Sequence, residues 1–562
     1  MTGPKKDWNA NEDFFRFSRG RFICDEDSNI SKRTVRFDMN QLARIAADSI
    51  MAKKCINVEK CPDGMYNKSY LFTMDDGRQV IGKVPNPNAG LPHFTTASEV
   101  ATMDFVRNIL GTPTPHVYAW NSRAENPVGS EYIIMEKMPG VQLLQVWDQL
   151  KLTEKLDVVT QLFKFQKMWL SVRFVRIGSL YYANDVETSA AKDHLFTDSN
   201  GEQVRNERFV VGPTTGRDWV DEGRSSLNCD RGPWTSISDY YRAVIHREIE
   251  ATKNAQHLPK QMVMLCAPTL YRPTREKKLA ALESSEQIVQ YLIPSDPLMC
   301  ASYIWHNDLH DENIFVDPAN PTKITGIIDW QSTQAVPLFE NTIDPGILDY
   351  DGPPIESLDQ PVLPGDFNKL SGVEKAAELK LFYSKALLVA YRRLIQKNIP
   401  LRKASEFQES AAFNILKLSR RIFEIGEAHL QAIISRDLEP EWSDLTAVQQ
   451  AQGLRFPLSF TEFELQQIES DAEAADAGIE AMGQFAMSSR EFLADVESGA
   501  VPVDSHEQLL RVAFIHLDES FWMDGVFTVV EELHKHGWTF GEGDLRFNRQ
   551  VLIFSSAVKD KD

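Results

Sequence analysis

The stretch from Trp305 to Asp317 reads WHNDLHDENIFVD, and an apolar run from Ile324 to Ile328 then delivers Asp329, sixteen residues after Asn313. Three hard oxygen donors in this order suit the transfer of a phosphoryl group. That reaction asks little covalent chemistry of a protein. It needs a divalent cation to neutralise charge, an in-line hydroxyl, and a carboxylate placed to receive the hydroxyl proton. Asn313 and Asp329 are the kind of ligands Mg²⁺ accepts while keeping waters and phosphate oxygens as its other partners. Asp308 is then left to serve as base. The spacing H-x-D-x-x-x-x-N, with a later Asp closing an apolar strand, is that of a phosphoryl-transfer loop. His-x-Asp alone is a weak signal; joined to Asn313 and Asp329 it is a strong one. The competing reading is a polar turn in which Asp308 and Asn313 cap backbone groups. His310, within the loop, suits packing and hydrogen bonding better than proton transfer.

Positioning these groups requires strands on either side of the loop and a second layer facing it. The sequence predicts a short helix over Asn40–Ala52, a hairpin of Tyr70–Met74 and Gln79–Val84 around Asp75-Asp76-Gly77, and a strand over Glu131–Glu136. Thr96-x-x-Glu99 reads as a capping box opening a helix through Leu110. Helical runs then dominate, at Leu152–Arg173, at Thr274–Leu292 and beyond Leu370, with a break near Phe456-Pro457. The Gly- and Asp-rich stretch from Ala183 to Trp234 reads as irregular, substrate-facing structure. The expected architecture is α+β: an arm (residues 1–39), a small β-rich N-lobe (40–140), a large helical C-lobe (141–400) and a helical C-terminal extension (401–562), with a cleft between the lobes.

Charge and composition narrow the partners. With 60 basic against 80 acidic residues, the net charge of −20 repels phosphate backbones, so nucleic acid is not an expected partner. The six cysteines show no metal-ligand spacing and are sparse for 562 residues, as in a reduced intracellular protein. No apolar run reaches the ~20 residues that span a bilayer. The N-terminal MTGPKKDWNANEDFF lacks a hydrophobic signal region and carries Asp7, Glu12 and Asp13, unlike a transit peptide. The cytosol is therefore the default location. His534-x-His536 lacks a third ligand nearby and reads as a surface helix end.

HNDLHDENIFVD followed by ITGIIDW resembles the aminoglycoside and choline kinase-like phosphotransferases. NPNAGLPHFTTASEVATMDFVR, ENPVGSEYIIMEKMPG and LDYDGPP resemble a fungal branch of that family, whose named members include altered inheritance of mitochondria protein nine. The resemblance runs from about residue 12 to beyond 540. It implies the two-lobed protein kinase-like fold and the use of ATP with Mg²⁺, and leaves the acceptor unnamed. It places Lys83 on the α- and β-phosphates and Glu99 as the partner that orients Lys83, against the rival that Glu99 serves the capping box. In place of a G-x-G-x-x-G loop stands Gly64-Met65-Tyr66-Asn67-Lys68-Ser69, where Gly64 permits the turn and Asn67, Ser69 and backbone N–H groups face phosphate. Glu136 to Met138 falls at the interlobe hinge, where backbone groups meet adenine. The branch's name adds mitochondria as an alternative location.

Together these features point to a kinase that moves the γ-phosphate of ATP to a hydroxyl of a small molecule. Its rivals are a catalytically silent ATP-binding scaffold, a protein kinase, and another nucleotidyl chemistry on the same fold. Trp330 follows Asp329 where a protein kinase has Phe-Gly, and no A-P-E motif follows before Pro353-Pro354. Asp344, Asp349 and Asp351 either line the substrate side or form an ordinary acidic loop.

Overall fold

Residues 67 to 74 alternate between half-buried and fully buried side chains, with Lys68, Tyr70, Phe72 and Met74 on the buried face. A period of two with one covered side is what a strand needs. In the computed structural model, which describes residues 7–19, 26–187, 194–259, 271–451 and 453–487, this strand is β2 (Asn67–Met74) of an antiparallel sheet. The others are β1 (Cys55–Lys60), β3 (Gln79–Pro85), β4 (Val117–Asn121) and β5 (Tyr132–Glu136), in spatial order β1-β2-β3-β5-β4. The predicted hairpin is β2–β3. Strands β1 and β4 lie at the edges, bury few side chains, and so carry no alternation by which the sequence predicts them.

The buried face of the sheet packs against helix α1 (Met39–Ser49) and the N-terminal arm, with Trp8, Phe14, Phe15 and Phe37 meeting Tyr70 and Phe72. On the opposite side lies α2 (Phe94–Asn108), buried continuously from Thr95 to Met103. The predicted capping box is not what opens this helix. It begins at Phe94 after His93, Thr96 lies within its first turn, and the Thr96 hydroxyl donates to Glu131 instead.

At the hinge, Gly140 (φ 98°) crosses the C-lobe so closely that a Cβ there would stand 2.0 Å from the Val316 carbonyl oxygen. The C-lobe then runs through β6 (Val141–Gln142), α3 (Leu152–Trp169), β7 (Ser179–Tyr182), β8 (Phe209–Gly212), α4 (Ile237–Asn254) and α5 (Arg275–Leu292). It continues with β9 (Ser302–Ile304), β10 (Ile314–Asp317), β11 (Asn320–Ile327), β12 (Ala335–Pro337), α6 (Gly372–Gln396) and α7 (Ala411–Ser419). β10 pairs with β11 on one side and β6 on the other, which ties the hinge to the chemistry-bearing loop. The stretch from Ala183 to Trp234 is not wholly irregular: β8 forms within it and pairs with β7. Beyond α7 the helices continue to α8 (Glu462–Met487), with a non-helical segment between 453 and 461 where Phe456-Pro457 predicts the break. The remainder of the expected extension, including His534 and His536, lies outside the described residues. A small β-rich lobe and a large helical one with a cleft between them make this a protein kinase-like two-lobed fold.

Candidate active site

The loop between β9 and β10 turns through a single 3₁₀ turn, Asp311–Asn313, so Asp308 and Asn313 meet. The Asn313 amide nitrogen donates to the Asp308 carbonyl (2.9 Å) and to its Oδ2 (3.2 Å). His310 Nε2 stands 3.5 Å from Asp308 Oδ1. Partial burial pushes the Asp308 carboxyl up, but hydrogen bonding and charge from His310, helped by His306 and Asn313, outweigh it and hold the group below its ordinary value. Asp308 is thus ionised near neutral pH, and its side chain, 70% exposed, opens to the cleft.

His306 anchors the loop from below. It is buried, its Nε2 bonds the Ile328 carbonyl (2.8 Å), and its ring meets Trp330 edge-on at 4.7 Å. Burial drives its pKa down, so the neutral ring donates to Ile328, the residue before Asp329. Ile328 N–H in turn donates to the Asn313 carbonyl (2.9 Å). The loop and the Asp329 segment are thereby one unit. Asp329 sits at φ 62°, a left-handed conformation uncommon outside glycine and a mark of a site held by its surroundings.

Lys83 reaches this unit from β3. Its Nζ donates to Glu99 Oε1 (2.7 Å) and to Asp329 Oδ1 (2.9 Å). Burial alone would discharge the lysine; the two carboxylates outweigh it and raise its pKa. Glu99 therefore pairs with Lys83 rather than capping α2. Among the described residues nothing donates to Asn313 Oδ1 or to Asp329 Oδ2, so two hard oxygens on adjoining segments remain available. That donor set fits Mg²⁺, which takes one or two protein oxygens and completes its shell from phosphates and water.

The turn at Gly64 closes with Gly64 N–H donating to the Asn67 carbonyl (3.1 Å). Ser69 stands opposite Lys83 in the β2–β3 register, so both project from the cleft face. Asn67 hydrogen-bonds Gln331 of the opposite lobe through its side chain. At the hinge, the Glu136 carboxylate takes Arg107 (3.0 Å) and His116 N–H (3.0 Å), and Met138 is buried against Gly326. Both side chains are therefore engaged in the hinge itself.

A cavity of about 910 Å³ opens beside Asp308 and Asp329. Several charged residues on its far walls already have partners, some of them from behind the wall. Arg420 bonds Asp218 (3.1 Å) and Glu340, Arg247 bonds Asp218 (2.9 Å), and Arg392 bonds Asp344 (2.9 Å). Burial pushes the Asp218 carboxyl up, yet Arg420 and Arg247 hold it well below the usual carboxylate range. Asp344 thus lines the cavity, as one of the two sequence readings has it, while Asp349 and Asp351 do not. The sequence did not point to Tyr66, Arg217 or Gln331. Arg217 stacks on the Tyr66 ring at 3.8 Å and donates to the Asn88 (3.2 Å) and Ala89 (2.8 Å) carbonyls, and Gln331 also donates to Ala89 (2.9 Å). These contacts join the Gly64–Ser69 loop to the C-lobe over the cavity.

The profile of the phosphotransferase enzyme family matches residues 245–339, the span that holds Asp308, Asn313 and Asp329. A subtelomeric hrmA-associated cluster protein of Aspergillus fumigatus is 30% identical over 394 residues, covering 65% of this chain and 72% of that protein. The protein named altered inheritance of mitochondria protein 9, mitochondrial, of Yarrowia lipolytica is 28% identical over 378 residues, or 62% of each chain. Among solved structures, a thermostable mutant of aminoglycoside phosphotransferase APH(4)-Ia in its apo form aligns with a TM-score of 0.32 at 11% identity, covering 73% of this chain and all of that one.

Proposed function

Because this chain belongs to the phosphotransferase enzyme family of aminoglycoside kinase-like proteins, in the fungal branch that includes altered inheritance of mitochondria protein 9, we propose that it transfers the γ-phosphate of ATP to a hydroxyl of a small molecule. The observation that carries the reading is Lys83, held by Glu99 from α2 and by Asp329 from the other lobe, next to an ionised Asp308 that opens on a cavity. Asp308 accepts the hydroxyl proton. Lys83 neutralises the α- and β-phosphates, and Glu99 keeps its ammonium aimed into the cleft. Asn313 and Asp329 would hold Mg²⁺, which would offset the charge that develops in transfer. Gly64, Asn67 and Ser69 form the turn beside the phosphates, and the Glu136–Met138 backbone meets the base. A cavity of about 910 Å³ favours a compact acceptor over a polypeptide. The relatives named as mitochondrial favour the mitochondrial address over the cytosolic one.

The test is transfer from γ-labelled ATP with Mg²⁺ into a metabolite extract, read by mass spectrometry of the labelled product. Asp308→Asn is expected to keep nucleotide affinity and cut turnover by ~10²–10⁴, the worth of a positioned base. An inert parent protein, or an Asp308→Asn variant as fast as the parent, would overturn the reading.

A further inference from the structure

Strands β7 and β8 form an antiparallel two-stranded ribbon that touches both carboxylate partners of Lys83 through their supporting segments. At its root, Gly178 and Ala335 exchange backbone hydrogen bonds (3.1 and 2.7 Å), and the Ser179 hydroxyl donates to the Thr333 carbonyl (3.0 Å). Thr333 and Ala335 follow Asp329 on the same short segment. Along its length, Tyr181 and Val210 bury Ala97, two residues before Glu99. At the far end of α2, the Tyr182 hydroxyl donates to Asp104 Oδ2 (2.5 Å) and Arg208 pairs with the same carboxylate. The Arg208 guanidinium also lies over the rings of Tyr182 (5.2 Å) and Phe209 (5.3 Å), which stack on each other. At the other end of α2, His93 Nε2 bonds the Asp185 carbonyl (2.8 Å), just past β7.

We propose that this two-stranded ribbon is a bracket that fixes the Glu99 helix against the C-lobe, and that Asp104, Tyr182 and Arg208 are positioning residues for the Lys83–Glu99 pair. The inference rests on the nucleotide-binding role given to Lys83 above. In kinases of this architecture the corresponding pair must be in place for turnover, and the position of its helix is the point of control. Here α2 is fastened at one end by the ribbon that also roots beside Asp329 and at the other by Asp185, just past β7. The helix has no room to swing without breaking the Arg208–Asp104 ion pair, the Tyr182–Asp104 hydrogen bond and the Phe105–Phe209 edge contact together. The pair is therefore standing, and the protein needs no phosphorylation to assemble it.

The experiment uses Asp104→Ala and, because the Arg208 side chain is largely exposed, Arg208→Ala as the variant least able to disturb the core. Amide hydrogen exchange over Phe94–Asn108 is measured together with the affinity for Mg²⁺·AMP-PNP, each alone and in a Glu99→Gln background. Both variants should speed exchange in α2 while leaving α3 and α6 as in the parent. Each should also weaken AMP-PNP by about tenfold, the coupling expected within one contact network, and weaken it no further once Glu99 is Gln. Unchanged exchange in α2, or a loss of affinity that persists in full in the Glu99→Gln background, would overturn the bracket. A parent protein that binds no AMP-PNP would instead sink the nucleotide reading, and the exchange measurement would still decide on the bracket.

Discussion

Lys68 and Lys83 stand on neighbouring strands of one sheet, both buried and both paired with carboxylates, but they project from opposite faces. Lys68 Nζ donates to Asp63 Oδ1 (3.1 Å) and the Arg16 carbonyl (3.0 Å). Asp63 is closed off in turn by Lys60 (2.6 Å) and by the backbone and hydroxyl of Ser18 (both 2.8 Å). Every partner comes from the N-terminal arm, the end of β1 or the turn that follows it, and none lines the cavity. Lys83 instead draws Glu99 from a helix and Asp329 from the other lobe, and the Asp329 side chain remains 40% exposed. A buried lysine with only enclosed partners holds the arm to the sheet. One with a partner open to solvent can trade that contact for an incoming phosphate or share it with a cation.

The sharpest way to break this contrast is on the enclosed side. Asp63→Ala would leave Lys68 buried without its carboxylate and should cost about 3–5 kcal/mol of stability, read by urea titration, with nucleotide affinity preserved. The sign of its pH dependence follows from the group itself. Burial raises the Asp63 carboxyl, but the Lys60 hydrogen bond, the Lys68 charge and Ser18 together lower it below its unfolded value. Its contribution is therefore complete above about pH 4 and fades as pH falls through the folded pKa. The gap between parent and Asp63→Ala should hold constant from pH 8 to 6 and narrow below pH ~4. A gap that widens in acid would contradict the assignment.

On the open side, Lys83→Met should lower turnover by ~10²–10³, the usual effect of removing one charge-stabilising donor. Lys68→Met, by contrast, should leave the rate of the folded fraction near that of the parent. Equal losses of rate in the two variants would erase the distinction between the faces. The smallest effect expected is that of Tyr70→Phe. The Tyr70 hydroxyl, buried between arm and sheet, donates to the Phe14 carbonyl (2.5 Å), so the variant should lose about 1 kcal/mol of stability and no activity.

The residues to which we assign the chemistry were legible as a group because their geometry is local. Asp308 lies just before the 3₁₀ turn that Asn313 ends, and β10 and β11 carry the chain straight to Asp329, so spacing along the sequence already implies proximity in space. The hairpin β2–β3 was equally plain, since its buried face alternates residue by residue. Thr96 and Glu99 were ambiguous for a physical reason: S/T-x-x-E suits a helix start, and only packing decided that α2 begins at Phe94, leaving Thr96 to Glu131 and Glu99 to Lys83. The roof and bracket of the site could not be read at all. Asn67 and Gln331 are 264 residues apart, and neither Tyr66 with Arg217 nor Tyr182 and Arg208 with Asp104 belongs to any spacing pattern. Local backbone preference and periodicity determine which segments are strands or helices and which short loops can gather oxygens. Which distant side chains then meet depends on how the lobes and the 183–234 stretch pack, and hydrophobic burial, being non-directional, leaves no trace of that choice in the order of the residues.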